Sequence, residues 1–166
     1  YVYSIYKLGW CDYNQAKFKD ALISFVKVIE LQDAQSARDK KRNRLSLKKE
    51  AQRDLIRVYV SIEGATAKGG IKLIKRYAPN RYEELAESLA DLYAGTGQFD
   101  NSNRILRMLI KGSPKSYRVV GYQRRITENI ANMNTTAFTR RRPEFSDLLY
   151  QNLRRVGAAA AAARRD

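Results

Sequence analysis

From Leu89 to Pro114 the chain reads LADLYAGTGQFDNSNRILRMLIKGSP. Leu89 is followed four residues later by Tyr93, then by a turn glycine, Gly97, and an aromatic, Phe99. An apolar run of helical period comes next and stops at Gly112-Ser113-Pro114. Leu55 stands 34 residues before Leu89, is followed at the same offset by Tyr59, and leads to a second apolar helix that closes near Pro79. A period of that length fits one helix-turn-helix unit. The spacing therefore predicts an all-α chain of stacked helix pairs.

The start of the chain carries a third version, in Tyr6-Lys7-Leu8-Gly9, Tyr13, Phe18, Ala21, Phe25 and Val28. Together these residues resemble the tetratricopeptide repeat family. Three positions depart from its pattern: Asp12 lies where a large aromatic is usual, Ala16 replaces the turn glycine, and Asp33 replaces the closing proline. The resemblance implies three to four antiparallel helix pairs in a right-handed superhelix. Paired helices approach closely where a small residue, Gly9 or Ala90, faces another, Ala21 or Ser102, and aromatic side chains fill the wedge. One pair cannot cover its own apolar face, so neighbours stack and leave a concave surface.

The expected organisation is repeat one over 1–33, a basic insertion over 34–46, a degenerate repeat two over 47–79, repeat three over 80–114 and a degenerate capping pair over 115–157. The distance from Leu8 to Leu55 exceeds one period by 13 residues, which places the insertion. Gly69-Gly70 is expected to weaken the second helix of repeat two, at about 1 kcal/mol per glycine. Asn80 with Glu83 reads as a capped helix start. Residues 115–132 read as a helix, Asn134-Thr135-Thr136 as a turn, and Pro143 to Val156 as another helix. The end, 158–166, is an alanine-rich tail. It fits a helix, a flexible segment, or positions where alanine stands in for unidentified side chains, and no function is assigned to it.

Composition narrows the function classes. The chain of 166 residues has 44% hydrophobic residues and 11 tyrosines, more than a disordered chain carries. Its net charge of +15 favours acidic partners. Residues 1–36 are neutral, 37–60 carry +6, 61–80 carry +3, 81–114 carry −1 and 115–166 carry +7. No run approaches the roughly 18 apolar residues of a membrane span. The chain has no histidine and a single cysteine, Cys11, which reads as a small buried thiol. Without paired metal ligands, a glycine-rich phosphate loop or a nucleophile beside a base, no enzymatic function and no cofactor are expected. The start at Tyr1 lacks an initiator methionine and a signal-peptide profile, and reads as a fragment of something longer.

In the family the first helix of each pair lines the groove where partners bind. Carried over by position, the resemblance puts Tyr6, Trp10 and Asn14 there from repeat one, Arg53 and Arg57 from repeat two, Glu87 and Asp91 from repeat three, and Arg125 from the fourth pair. Arg53 and Arg57, four apart, can present two forks to a carboxylate, unless they pair internally with Glu87 and Asp91. Tyr3, Tyr6, Trp10 and Tyr13 share one helix face, read as packing on a preceding repeat or as a ligand contact. Tyr6 and Trp10 occupy positions where the family's grip on free C-terminal carboxylates needs polar side chains, so that mode is not expected.

Two basic clusters remain: Lys40, Lys41, Arg42 and Arg44 in the insertion, and Arg124, Arg125, Arg140, Arg141, Arg142, Arg154 and Arg155 beyond Pro114. A solvated surface is the simpler reading of both. The functional expectation is a non-catalytic scaffold that binds protein partners, acidic ones among them, within a larger bacterial assembly. A basic helical module that binds RNA or DNA is the alternative. The wording of the repeats is similar to repeat proteins of bacterial envelope and motility machines, which implies a periplasmic or membrane-associated location.

Overall fold

The computed structural model describes residues 1–38 and 47–135. The expectations for Lys40, Lys41, Arg42, Arg44, the arginines from Arg140 onward, the helix from Pro143 and the alanine tract lie outside these residues. The described chain is all-α, with no strand. Its helices are α1 (Val2–Asn14), α2 (Phe18–Arg38), α3 (Lys48–Ser61), α4 (Ala67–Tyr77), α5 (Tyr82–Gly95) and α6 (Phe99–Gly112), with one 3-10 turn at Pro79–Arg81. Two compact units divide the chain at Ile126. Residues 119–126 are the last helical stretch of the first unit, and residues 127–135 of the second are helical too.

Within the first unit α1 packs on α2, α2 on α3, α3 on α4 and α5, and α6 on both α4 and α5. Two apolar clusters result. Ala21, Phe25, Val28 and Ile29 of α2 meet Ala51, Leu55 and Val58 of α3. Ile56 and Val60, also of α3, meet Ile71 and Ile74 of α4, Leu85, Leu89 and Tyr93 of α5, and Ile105 and Leu106 of α6. Because α3 feeds both clusters it is buried on two sides, leaving Arg53 and Arg57 exposed between them. Every fully covered Leu, Ile or Phe stabilises the unit by about 1.5–3 kcal/mol.

Close approach explains the glycines. A Cβ on Gly9 would meet Phe25 at 3.1 Å and Ser24 at 3.2 Å. The nearest neighbours of Gly9 are thus Phe25 and Ser24. A Cβ on Gly70 would lie 2.5 Å from Leu89, and one on Gly69 would collide with the Tyr59 hydroxyl. The expectation that these two glycines merely weaken α4 is incomplete, since they also let Tyr59 and Leu89 lie directly on its backbone. The Thr66 hydroxyl caps α4 by accepting from the Gly69 N–H at 3.2 Å, a bond that offsets part of the propensity cost.

The turns after α1 and α5 share one geometry. Lys17 N–H donates to Asp12 C=O at 2.9 Å and Ala16 N–H to Tyr13 C=O at 2.9 Å; Gln98 N–H donates to Tyr93 C=O at 2.8 Å and Gly97 N–H to Ala94 C=O at 3.0 Å. This paired bonding requires a left-handed residue at its corner. Gly97 takes φ +75° without strain, whereas Ala16 is forced to +59°.

Several local expectations are corrected. Asn80 caps nothing: α5 starts at Tyr82, and its N-cap, Arg81, makes no side-chain cap bond. Glu84 is held instead by the Arg81 guanidinium, at 2.5 and 2.9 Å. The same guanidinium bonds Lys49 C=O and Gln52 Oε1, both at 3.1 Å, which ties the start of α5 to α3. The helix expected from residue 115 begins at 119, because turns at Ser113 and Ser116 come first, with Ser116 N–H donating to Ser113 C=O at 3.1 Å. Asn134 and Thr135 are helical rather than a turn, with the Thr135 hydroxyl bonded back to Ala131 C=O at 2.8 Å. Cys11 is exposed, not buried. It lies with Leu8 on the side of α1 opposite Tyr6, Gly9 and Tyr13.

Candidate partner-binding groove

An open groove of about 460 Å³ runs between α3 and α5, lined by Arg53, Ile56, Arg57, Ser88, Asp91, Leu92, Gly95 and Thr96. The sequence places them there simply. On α3, Arg53, Ile56 and Arg57 follow helical spacing, as do Ser88, Asp91, Leu92 and Gly95 on α5, so each set shares one face. The floor is apolar, from Ile56 and Leu92, and the rim carries two guanidiniums, two hydroxyls and a carboxylate. Gly95 brings no side chain, so that end of the groove is open.

The two arginines differ. Arg57 lies 5.8 Å over the Trp10 ring and 3.6 Å from Asp54, so its fork is already oriented. Arg53 makes no ion pair among the described residues. Its charge acts through space on Glu84, whose carboxyl is held below the usual range chiefly by the hydrogen bond from Arg81. Neither arginine pairs with Glu87 or Asp91, which corrects the internal pairing considered from sequence. Those carboxylates are held by other partners. Glu87 accepts from Arg118 at 2.7 Å and from the Tyr122 hydroxyl, and Asp91 accepts from Arg125. Burial pushes the Asp91 carboxyl up despite the neighbouring Arg125 charge, and burial with the Glu87 bond raises the Tyr122 hydroxyl to about 12. These contacts fasten residues 118–125 to α5.

Behind the groove, the Tyr6 hydroxyl donates to Asp54 Oδ2 at 2.6 Å. Burial raises both groups, the Asp54 carboxyl against the pull of Tyr6 and Arg57, and the Tyr6 hydroxyl with help from Asp54. Tyr6 and Trp10 stack edge-on to Phe25 at 5.5 and 5.9 Å, and Trp10 meets Tyr13 at 5.5 Å. The aromatic face of α1 is therefore largely spent on α2 and α3. Tyr6, Trp10 and Tyr13 are partly buried, and only Tyr3 of the four is exposed.

Of the residues expected in the groove, the structure gathers Arg53, Arg57 and Asp91 along one opening. Tyr6 and Trp10 lie behind it, Glu87 and Arg125 are engaged beside it, and Asn14 is exposed at the end of α1. Sequence reasoning missed Ile56, Ser88, Leu92 and Thr96. Ser88 could have been found by its three-residue step to Asp91, and Leu92 by its four-residue step from Ser88, since such steps share a helix face. Asp54, which orients Arg57, was signalled by its three-residue step to that arginine. Of the basic clusters, Arg124 and Arg125 are described: Arg124 is exposed, and Arg125 pairs with Asp91. No helix among the described residues is long and apolar enough to cross a membrane.

No family model matches the chain. A stretch of 36 residues is 56% identical to the flagellar basal-body rod protein FlgG of Caulobacter vibrioides. That stretch is 22% of this chain and 14% of the rod protein, so the chain spans about a seventh of that relative's length.

Proposed function

We propose that the chain is a non-catalytic scaffold of tetratricopeptide type, with antiparallel helix pairs stacked so that their first helices present the α3/α5 groove to a protein partner. The observation that carries this reading is the groove itself: Arg53, without an ion pair among the described residues, and a preset Arg57 stand over an apolar floor of Ile56 and Leu92. A partner segment with a carboxylate next to an apolar side chain satisfies both features, since a guanidinium fork takes a carboxylate through two parallel bonds. The fold reading is supported by the shared turn geometry at Ala16 and Gly97 and by the close approach at Gly9. The short likeness to a flagellar rod protein supports a place in a bacterial motility assembly.

The test is Arg53→Glu combined with Arg57→Glu. Both side chains are exposed, so the helical circular dichroism stays close to the unaltered chain's; the melting temperature falls somewhat, because Arg57→Glu gives up the Trp10 and Asp54 contacts, while co-purification of the natural partner is lost. Undiminished co-purification moves the interface elsewhere.

A further inference from the structure

The side of the first unit away from α3 and α5 has a composition of its own. α4 and α6 pack on each other, joined at their starts by the Ala67 N–H, which donates to Asn101 Oδ1 at 3.1 Å. Their buried residues, Ile71 and Ile74 on α4 and Ile105, Leu106 and Leu109 on α6, enter the core. Their solvent sides both face away from it. On α4 that side holds Lys68, Lys72 and Lys75, at steps of four and three; on α6 it holds Arg104, Arg107 and Lys111, at steps of three and four. All six are exposed.

Little opposes these charges. Residues Ala67–Tyr77 contain no acid, and the only one in Phe99–Gly112 is Asp100, in the first turn of α6. Among the described residues none of the six cations forms an ion pair; Lys75 does lie 5.4 Å over the Tyr82 ring. Neither helix exposes a large apolar or aromatic side chain. The face thus offers no exposed ring for a base to stack on and no exposed apolar wedge to insert between base steps. Six cations spread over two packed helices match the continuous charge of a headgroup layer.

We infer that the α4/α6 face is a peripheral docking surface for an anionic lipid bilayer. Binding there is electrostatic, with lysine and arginine heads at the headgroup level, and it weakens as salt shortens the screening length from roughly 10 Å at 0.1 M to 3 Å at 1 M. The surface lies apart from the α3/α5 groove and does not depend on what occupies it.

The experiment is sedimentation of the full chain with vesicles of phosphatidylcholine alone or with one third phosphatidylserine, at low and high salt, with duplex DNA as competitor. Three proteins are compared: the unaltered chain, Lys72→Glu/Arg104→Glu/Arg107→Glu, and Lys7→Glu/Lys17→Glu/Lys19→Glu, which changes net charge equally at exposed positions of α1, the turn after it and α2. The unaltered chain is expected to bind only the anionic vesicles and to release in high salt. The α4/α6 variant is expected to lose roughly tenfold or more in affinity while the α1/α2 variant loses much less. Circular dichroism establishes that both variants remain folded. Equal losses in the two variants show that net charge and not this face is responsible, and overturn the proposal. It is also overturned by no binding to anionic vesicles, or by α4/α6-dependent capture of DNA in preference to them.

Discussion

Ala16 and Gly97 hold equivalent corners of two helix turns, and the comparison isolates what one Cβ does. Each corner has its flanking N–H groups bonded back into the preceding helix, and each needs a positive φ. For an L-residue other than glycine that conformation costs about 1–2 kcal/mol. Ala16→Gly removes the strain but adds freedom to the unfolded chain. The expected net outcome is stabilisation by about 0.5–1 kcal/mol, read as a higher denaturant midpoint with an unchanged slope. A lower midpoint would mean that the Ala16 side chain makes contacts worth more than the strain it bears. The absence of glycine at this position was visible in the sequence; that the chain keeps the turn regardless was not, because it depends on bonds from Lys17 and Ala16 to the end of α1.

Among elements, α1 and α2 depend on close approach at Gly9, where an added Cβ would already press on Phe25 and Ser24. Gly9→Leu forces the helices apart and is expected to destabilise the chain by about 1–3 kcal/mol, the range of an overpacked core. An unchanged melting temperature would show that α1 tolerates a different register on α2. The all-helical class was legible from periodicity, because Leu, Tyr and Phe at steps of three and four leave few alternatives. Helix ends were less so. Asn80 looked like a cap by residue type, yet the groups that fix the start of α5 are Arg81 and its acceptors on α3, which lie far away in sequence. Cys11 looked buried by type, but its angular position on α1 puts it opposite the face that Gly9 presents to Phe25.

At the scale of the whole first unit, polar and charged side chains sort onto distinct surfaces. The α3/α5 groove combines both signs with an apolar floor, whereas α4 and α6 present cations almost alone. Net charge could not show this division, since it depends on which helices share a side. Arg53, Arg57 and Asp91, singled out through the family resemblance, line one opening. The partners of Glu87 and Asp91 were not legible in the sequence, because Arg118, Tyr122 and Arg125 come from a segment whose helical start was misplaced. The central claim is that a partner segment lies in the α3/α5 groove, and photo-crosslinking at Ser88 tests it most directly. A photoreactive side chain at Ser88 is expected to capture the natural partner in the native cell, and the capture is expected to vanish when Arg53→Glu and Arg57→Glu are added. No capture from Ser88, with strong capture of that partner from Ile23 on α2, would contradict the claim.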